Sequence, residues 1–534
     1  MTKKSFLKGA AILGVAGILI KILGAIYRIP LGNLLNTEGM GYYQTSYPVY
    51  NTLYAISTAG LPVAVAKIIA EKRALGDYKS AKKVFDLSLI GLIIFGIIAS
   101  GIVTIFGGKI SVALGNPNAY YALMAMIPAL LFAPMTSAFR GYFQGHQNMV
   151  PTALSQIFEQ LIRVIVGYSL AYMLISEGLD KAAGGATFGA SAGAVAAFLV
   201  VFLIYLIKKK DLQCEIALQH FETNETTSSL IKRIIVIALP IAFGAIIVPM
   251  MNLIDVKLVM TRLQQIGYTE VEANSMWGQL SGFAQTFINF PQVLAISLGM
   301  SLVPAVSEAF ALKDRDRMKE IVNGGVRTIV MIGLPAAFGL FVLSTPIIQL
   351  LYYKLSEASQ SSIGSILACL SFSVIFLTII QALTAILQGI GKTSVPVINL
   401  LIGGGVKLIL SYVLIGIPAL NIYGAVISTT AFYIVAAVLD YMAVKKYLGV
   451  NFDIKQVFIK PFVATIMMAL TAWVAYNGFS YIISHKIATI IAILLAVIVY
   501  AVFVVSLKAI TEDELKSIPA GGKIVKCFKK MRLI

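Results

Sequence analysis

Residues 140–163, RGYFQGHQNMVPTALSQIFEQLIR, return in outline at 387–407, LQGIGKTSVPVINLLIGGGVK. Gln144-Gly145 matches Gln388-Gly389, Pro151 matches Pro396, and Arg163 matches Lys407. Each copy is a glycine-containing turn with a His or Lys in it, then a Pro-started apolar helix that carries a cation about three turns in. A second echo supports the first. Leu61-Pro62-Val63-Ala64-Val65, ahead of the basic segment 72–83, resembles Val303-Pro304-Ala305-Val306, ahead of 313–319. Both echoes sit at nearly the same offset, so the chain reads as one half of a membrane protein written twice.

Composition agrees. A chain of 534 residues with 58% apolar and 12% charged residues has too little charge to cover a water-soluble surface; its mean hydropathy is +0.87. Cys214, Cys369 and Cys527 are an odd, widely spaced set without metal spacing. The first apolar run is long enough to span and lacks a small-residue cleavage site, so no cleaved leader is expected.

Apolar segments of about twenty residues, the length that crosses a hydrocarbon core of ~30 Å, can be laid out about fourteen times. The expected fold class is an all-α polytopic membrane protein of two pseudo-symmetric six-helix bundles plus two C-terminal helices. The expected divisions are 1–207 for the first bundle, 208–229 for a polar cytoplasmic linker, 230–445 for the second bundle, 446–507 for the two added helices and 508–534 for a basic tail. With the N-terminus cytoplasmic, 31 of the 42 cations fall inside, and Lys109, Lys181, Arg262, Lys354 and Lys486 are the five outside. That split obeys the positive-inside rule and places both termini in the cytoplasm. The formal charge of +18 therefore needs no nucleic acid to explain it.

Ionisable groups at a helix centre in a bilayer cost at least ~2.5 kcal/mol, so each needs a partner or an aqueous cavity. Lys21 and Arg28 lie seven residues apart on one helix face, two turns that carry an anion-attracting stripe or, for Arg28, a route to the interface beside Tyr27. Glu159 and Arg163 are four apart, the favourable order for a helical ion pair that is either structural or functional. Lys407 has Gly403 where Glu159 would stand, so the second copy is expected to leave its cation unpaired. Asp255, with Asn252 one turn earlier, is a candidate for Na⁺ or H⁺ coupling, against a pairing with an intramembrane cation. Tyr42, Tyr43, Tyr47, Tyr50 and Tyr54 read either as an interfacial belt or as a surface for sugar rings. Gly391-Lys392-Thr393 lacks the earlier glycine of a phosphate loop, Ile386 standing there, and no catalytic set or metal site is found. No enzyme activity and no cofactor is expected.

Phe139 to Gln147, followed by Pro151-Thr152-Ala153 and 156–163, resembles the stage V sporulation protein B and YtgP branch of the MOP flippase superfamily, similar to the MurJ-type lipid II flippases. Lys21-Ile22-Leu23-Gly24 with Arg28, Asn252 with Asp255, Phe290-Pro291, Leu302-Val303-Pro304 and Leu387-Gln388-Gly389 extend the match over about residues 5–445. The resemblance implies a monomer in the bacterial cytoplasmic membrane in which two bundles form a V-shaped cavity and two extra helices add a groove for a lipid tail. It implies a lipid-linked oligosaccharide diphosphate carried to the outer leaflet by alternating access, with cavity cations on the pyrophosphate. Lys21 and Arg28 match the family's first-helix cations. The family's second-helix arginine falls near Leu53 or Tyr54, and its eighth-helix Asp-Arg near Gln285-Thr286, which leaves Arg163 and Lys407 to supply the charge. The alternatives are a polysaccharide or sporulation-specific glycolipid exporter and a multidrug cation antiporter, whose cavity would present acids instead.

Overall fold

The second echo becomes the same turn built twice. In the computed structural model, which describes residues 3–217 and 225–510, Gly76 N donates to Arg73 O at 3.0 Å and Asp77 N to Lys72 O at 2.8 Å; Lys313 N donates to Phe310 O and Asp314 N to Ala309 O, both at 3.2 Å. These bonds satisfy the last carbonyls of one helix. Asp77 then caps the next helix by accepting from Ser80 N at 3.1 Å, and Asp314 does so from Arg317 N at 3.0 Å. The first echo repeats likewise: Gln147 N donates to Gln144 O at 2.8 Å and Gly391 N to Gln388 O at 2.9 Å. Each turn needs a left-handed residue. One copy uses glycine (Gly76, φ 75°; Gly391, φ 78°) and the other a polar side chain (Lys313, φ 55°; Gln147, φ 58°). Offsets are 237 residues for the first turn (Asp77 to Asp314) and 244 for the second (Gln144 to Gln388).

Among the described residues every regular element is helical, and the chain divides into two compact units, Met1–Gly278 and Gln279–Ile534. The first contains α1 (Lys3–Thr58), α2 (Gly60–Ala74), α3 (Tyr78–Ala113), α4 (Tyr120–Met124), α5 (Ile127–Gly145), α6 (Val150–Leu174), α7 (Leu179–Ala217), α8 (Thr227–Gln265) and α9 (Glu270–Trp277). The second contains α10 (Gln285–Ala311), α11 (Arg315–Val342), α12 (Ser344–Leu351), α13 (Glu357–Ser371), α14 (Ser373–Gly389), α15 (Ser394–Ile415), α16 (Ile422–Leu448), α17 (Lys460–Ser480) and α18 (His485–Ser506). The sequence halves describe the repeat and the units describe packing: α8 and α9, which open the second copy, pack on α1 and α2 within the first unit.

The protein is a multi-span membrane protein. Among the described residues eleven helices are long and apolar enough to cross, and up to thirteen if the bent pairs α4–α5 and α13–α14 each count as one span. The expected count of fourteen is not reached in this way. The first two of the apolar segments, which the sequence lays at 6–31 and 42–70, meet at a non-helical break at Asn36 (φ 54°), and the second continues past Thr58 into α2. Pro62 stands in the first turn of α2, where its missing N–H is harmless. Within the stretch read as a polar linker, 208–229, α7 continues to Ala217 and α8 starts at Thr227 on a Thr226 cap. Residues 218–224, and the part of the basic tail from 511 on, lie outside the described residues.

Repeat-related segments also meet each other. A Cβ on Gly41 would lie 2.3 Å from Asn274 O, and a Cβ on Gly278 would lie 2.0 Å from Thr37 O, so each glycine seats the other segment's backbone. Thr37 and Gly41 stand at the same offset of 237 from Asn274 and Gly278, which makes the contact reciprocal. Buried side chains seal it. Asn274 Nδ2 donates to Glu38 O at 2.8 Å, Asn116 Nδ2 donates to Asn274 Oδ1 at 2.7 Å and to Thr45 Oγ1 at 2.9 Å, and Ser275 Oγ donates to Thr37 Oγ1 at 2.7 Å. Asn274→Ala takes one of two acceptors from Asn116 and the side-chain donor from the Glu38 carbonyl, at a fully buried position. It is expected to cost about 1–3 kcal/mol in a detergent thermal melt, against a fraction of that for the exposed Asn252→Ala.

Candidate functional site

Three glycines of α7 place the site. Gly185, Gly189 and Gly193 are four residues apart and lie on one face, and an added Cβ would fall 2.8 Å from Leu170 C, 2.5 Å from Arg163 O and 2.5 Å from Glu159 O. Small residues at this spacing let two membrane helices touch along their backbones. α6 is thereby locked against α7, with Glu159 and Arg163 turned toward α5 and α1.

The expected Glu159–Arg163 pair forms, Arg163 Nη2 donating to Glu159 Oε1 at 2.9 Å. A third member was absent from the sequence reading. Arg140 of α5, grouped there with the cytoplasmic cations, is only 8% exposed; its Nη2 donates to Glu159 Oε2 at 2.9 Å and its Nε to Ser155 Oγ at 2.9 Å. Two guanidiniums thus share one carboxylate, and the first copy keeps one surplus positive charge where an internally neutral pair was expected. The available signal was that Arg140 stands inside an apolar run, between Phe139 and Gly141.

The tyrosines of α1 complete the wall. Tyr43, Tyr47, Tyr50 and Tyr54 stack in series with ring centroids 5.3, 6.0 and 5.4 Å apart. Tyr43 and Tyr50 are buried, so the belt at an aqueous interface is not what forms. Arg163 Nη1 donates to Tyr47 OH at 3.0 Å, and Tyr54 lies against Arg140. Arg28 is half-buried on the same helix, and its charge, like that of Arg163, bears on Tyr27 and Tyr43. The first unit therefore brings Arg28, Arg140, Arg163 and Glu159 to one tyrosine-lined region. The side chain of Lys21 lies outside the described residues.

In the second unit, Lys407 is not the open cation expected. It is 8% exposed, with Nζ 5.8 Å from the centre of the Phe432 ring, and it has a further interaction partner. The reason is Gly403, whose missing Cβ leaves room for Phe432 at 3.0 Å; the glycine that removed a carboxylate admitted an aromatic face. Asp255 is half-buried in α8 and engaged, whereas Asn252 is exposed. Among the described residues no three of His, Cys, Asp and Glu are gathered as a metal site.

Comparison with known proteins places this architecture. The fold is shared with an inward-facing multidrug resistance MATE transporter of the MOP superfamily (TM-score 0.69, 15% identity, 80% of this chain and 94% of that one). It is shared equally with the inward closed structure of lipid II flippase MurJ (TM-score 0.69, 16% identity, 93% and 98%). The fold is thus that of the membrane transporters of the MOP superfamily. The chain belongs to the polysaccharide biosynthesis protein family, which matches residues 6–310, and the MatE family matches 240–413. Among its relatives in Bacillus subtilis (strain 168), lipid II flippase MurJ is 28% identical over 515 residues, covering 93% of this chain and 94% of the relative. Stage V sporulation protein B is 27% identical over 527 residues, covering 98% and 100%.

Proposed function

We propose that the chain is a flippase that carries a lipid-linked oligosaccharide diphosphate, with the peptidoglycan precursor lipid II as substrate, from the inner to the outer leaflet of the bacterial cytoplasmic membrane by alternating access. The observation that carries this reading is the surplus guanidinium of the Arg140–Glu159–Arg163 cluster, set among tyrosines with Arg28 nearby. A guanidinium fork matches phosphate oxygens two at a time and stays charged at any working pH. Aromatic faces suit the sugar rings that follow the diphosphate. The names carried by the two Bacillus relatives agree with a glycolipid cargo in wall growth or sporulation. In this reading the protein moves its substrate and does not convert it, acts as a monomer with both termini in the cytoplasm, and uses Lys21, Arg28 and Arg163 as its basic groups. Asp255 with Asn252 is the matching proposal for ion coupling.

The rival is a multidrug cation antiporter, which the MATE likeness brings forward. A site built around surplus arginine repels an organic cation, and this favours the flippase.

The test is replacement of an essential lipid II flippase in a depletion strain. The wild-type chain is expected to restore growth. Arg163→Ala leaves Glu159 its Arg140 partner, so the fold survives, while transport falls about 10–100-fold, the equivalent of one charge-assisted bond of about 1.5–3 kcal/mol. Full rescue by Arg163→Ala at normal expression removes the cluster from substrate handling. Failure of the wild type to rescue, with uptake of an organic cation into inverted vesicles, establishes the antiporter.

A further inference from the structure

Asp440 of α16 is fully buried, at 0% exposure, in a segment that crosses the membrane. Its hydrogen bonds are to neutral groups: Asn399 Nδ2 of α15 donates to Oδ1 at 2.7 Å, and Thr384 Oγ1 of α14 donates to Oδ2 at 3.4 Å. Among the described residues no cation pairs with it. The repeat supplies an internal comparison. At the offset of 244, Thr384 stands where Arg140 does and Asn399 where Ser155 does. The first copy thus holds its buried acid, Glu159, between two arginines that keep it charged, whereas the second holds its buried acid among groups that tolerate either charge state. An isolated ionised carboxylate in such a setting is costly, and the usual relief is to take up a proton.

The charged groups of the elements packed against α16 are engaged elsewhere. Lys407 of α15 lies over Phe432. Lys392, in the turn before α15, and Lys446 both lie over Tyr447, at 5.1 and 6.0 Å. Lys445 is exposed at the end of α16, Glu357 is exposed in the first turn of α13, and α14 carries no charged residue.

We propose that Asp440, with Asn399 and Thr384, is a proton-carrying site of the transport cycle. The proposal rests on the transporter reading above and adds to it a proton site separate from the Asp255–Asn252 candidate. One carboxylate oxygen takes a proton from water on one side of the membrane. The neutral acid donates to Thr384 Oγ1, whose own hydroxyl hydrogen turns away, and Asn399 holds the other oxygen. The proton returns to water on the opposite side. Because the group is sealed in this state, loading and unloading require the conformational step of the cycle. A proton is favoured over Na⁺ because Asn399 presents its NH₂ to the site and two carboxylate oxygens with one hydroxyl fall short of a cation's oxygen shell.

Two measurements on the full-length protein decide this. In lipid nanodiscs, infrared difference spectra between alkaline and acidic buffer are expected to show a protonated-carboxyl band that Asp440→Asn lacks and Asp440→Glu keeps at a shifted frequency. A spectrum identical to wild type in both variants overturns the proposal. In proteoliposomes with a fluorescent lipid II and the potential clamped by K⁺ and valinomycin, an imposed pH gradient is expected to speed wild-type movement several-fold and to leave Asp440→Asn unchanged. A gradient response equal to wild type in Asp440→Asn also overturns it. If the wild type moves no lipid-linked diphosphate under any gradient, the cargo assignment fails, and the infrared result alone decides the proton site.

Discussion

Glu159→Gln is expected to lower the stability of the full-length protein by about 3–5 kcal/mol, the usual cost of removing one partner from a buried ion pair. The change keeps the shape but turns one acceptor oxygen into an NH₂ donor that faces a guanidinium, and it leaves Arg140 and Arg163, both turned to the same carboxylate at 2.9 Å, as two uncompensated buried cations. Their other partners, Ser155, Tyr47 and Tyr54, are neutral and do not offset the charge. The measurement is a thermal melt in detergent beside Arg163→Ala, which removes one cation and keeps the other paired. Glu159→Gln should melt well below Arg163→Ala. Equal melting temperatures would show that the cluster is held by packing against α7 and not by its charge balance.

The second large effect is expected at Gly278→Ala. The added methyl carbon would meet Thr37 O at 2.0 Å and Gly41 N at 2.8 Å, both backbone atoms that cannot swing aside. The two segments must separate, and overpacking of this kind costs about 1–3 kcal/mol or more. Separation breaks the Ser275–Thr37 hydroxyl bond, so the readout can be local. In a background without native cysteines, Thr37→Cys with Ser275→Cys is expected to form a disulfide readily, because the two hydroxyls are 2.7 Å apart. Adding Gly278→Ala should abolish the crosslink. Undiminished crosslinking would mean that the crossing yields without opening.

Much of this was legible in the sequence. The duplicated Gln-Gly turn, the Pro-started helices and the Glu159–Arg163 spacing are local patterns, and local patterns survive folding. The glycines of 184–193 were equally visible as a small-residue helix face, though only packing shows that they seat Glu159 and Arg163. What was not legible is what arrives from far away in the chain. Phe432 reaches Lys407 from the next helix, Arg140 reaches Glu159 across a turn, and Asn116 meets Asn274 from 158 residues off. Asn36 falls in the gap expected between the first two apolar segments, but the sequence does not say that an asparagine with positive φ, and not one of the flanking glycines, makes the break.

The crossing at Gly41 and Gly278 has a historical reading. Two copies of one segment face each other there, as identical subunits do across a twofold axis, where each surface is its own complement. An interface of that kind has to be invented only once. In a half-length ancestor, one favourable change would have counted on both sides of a homodimer, so the contact could have ripened before the two halves became a single polypeptide. Fusion would then free the sides to drift apart. Under that history Thr37 against Asn274 is where the copies have diverged, and Gly41 against Gly278 is where they have stayed alike.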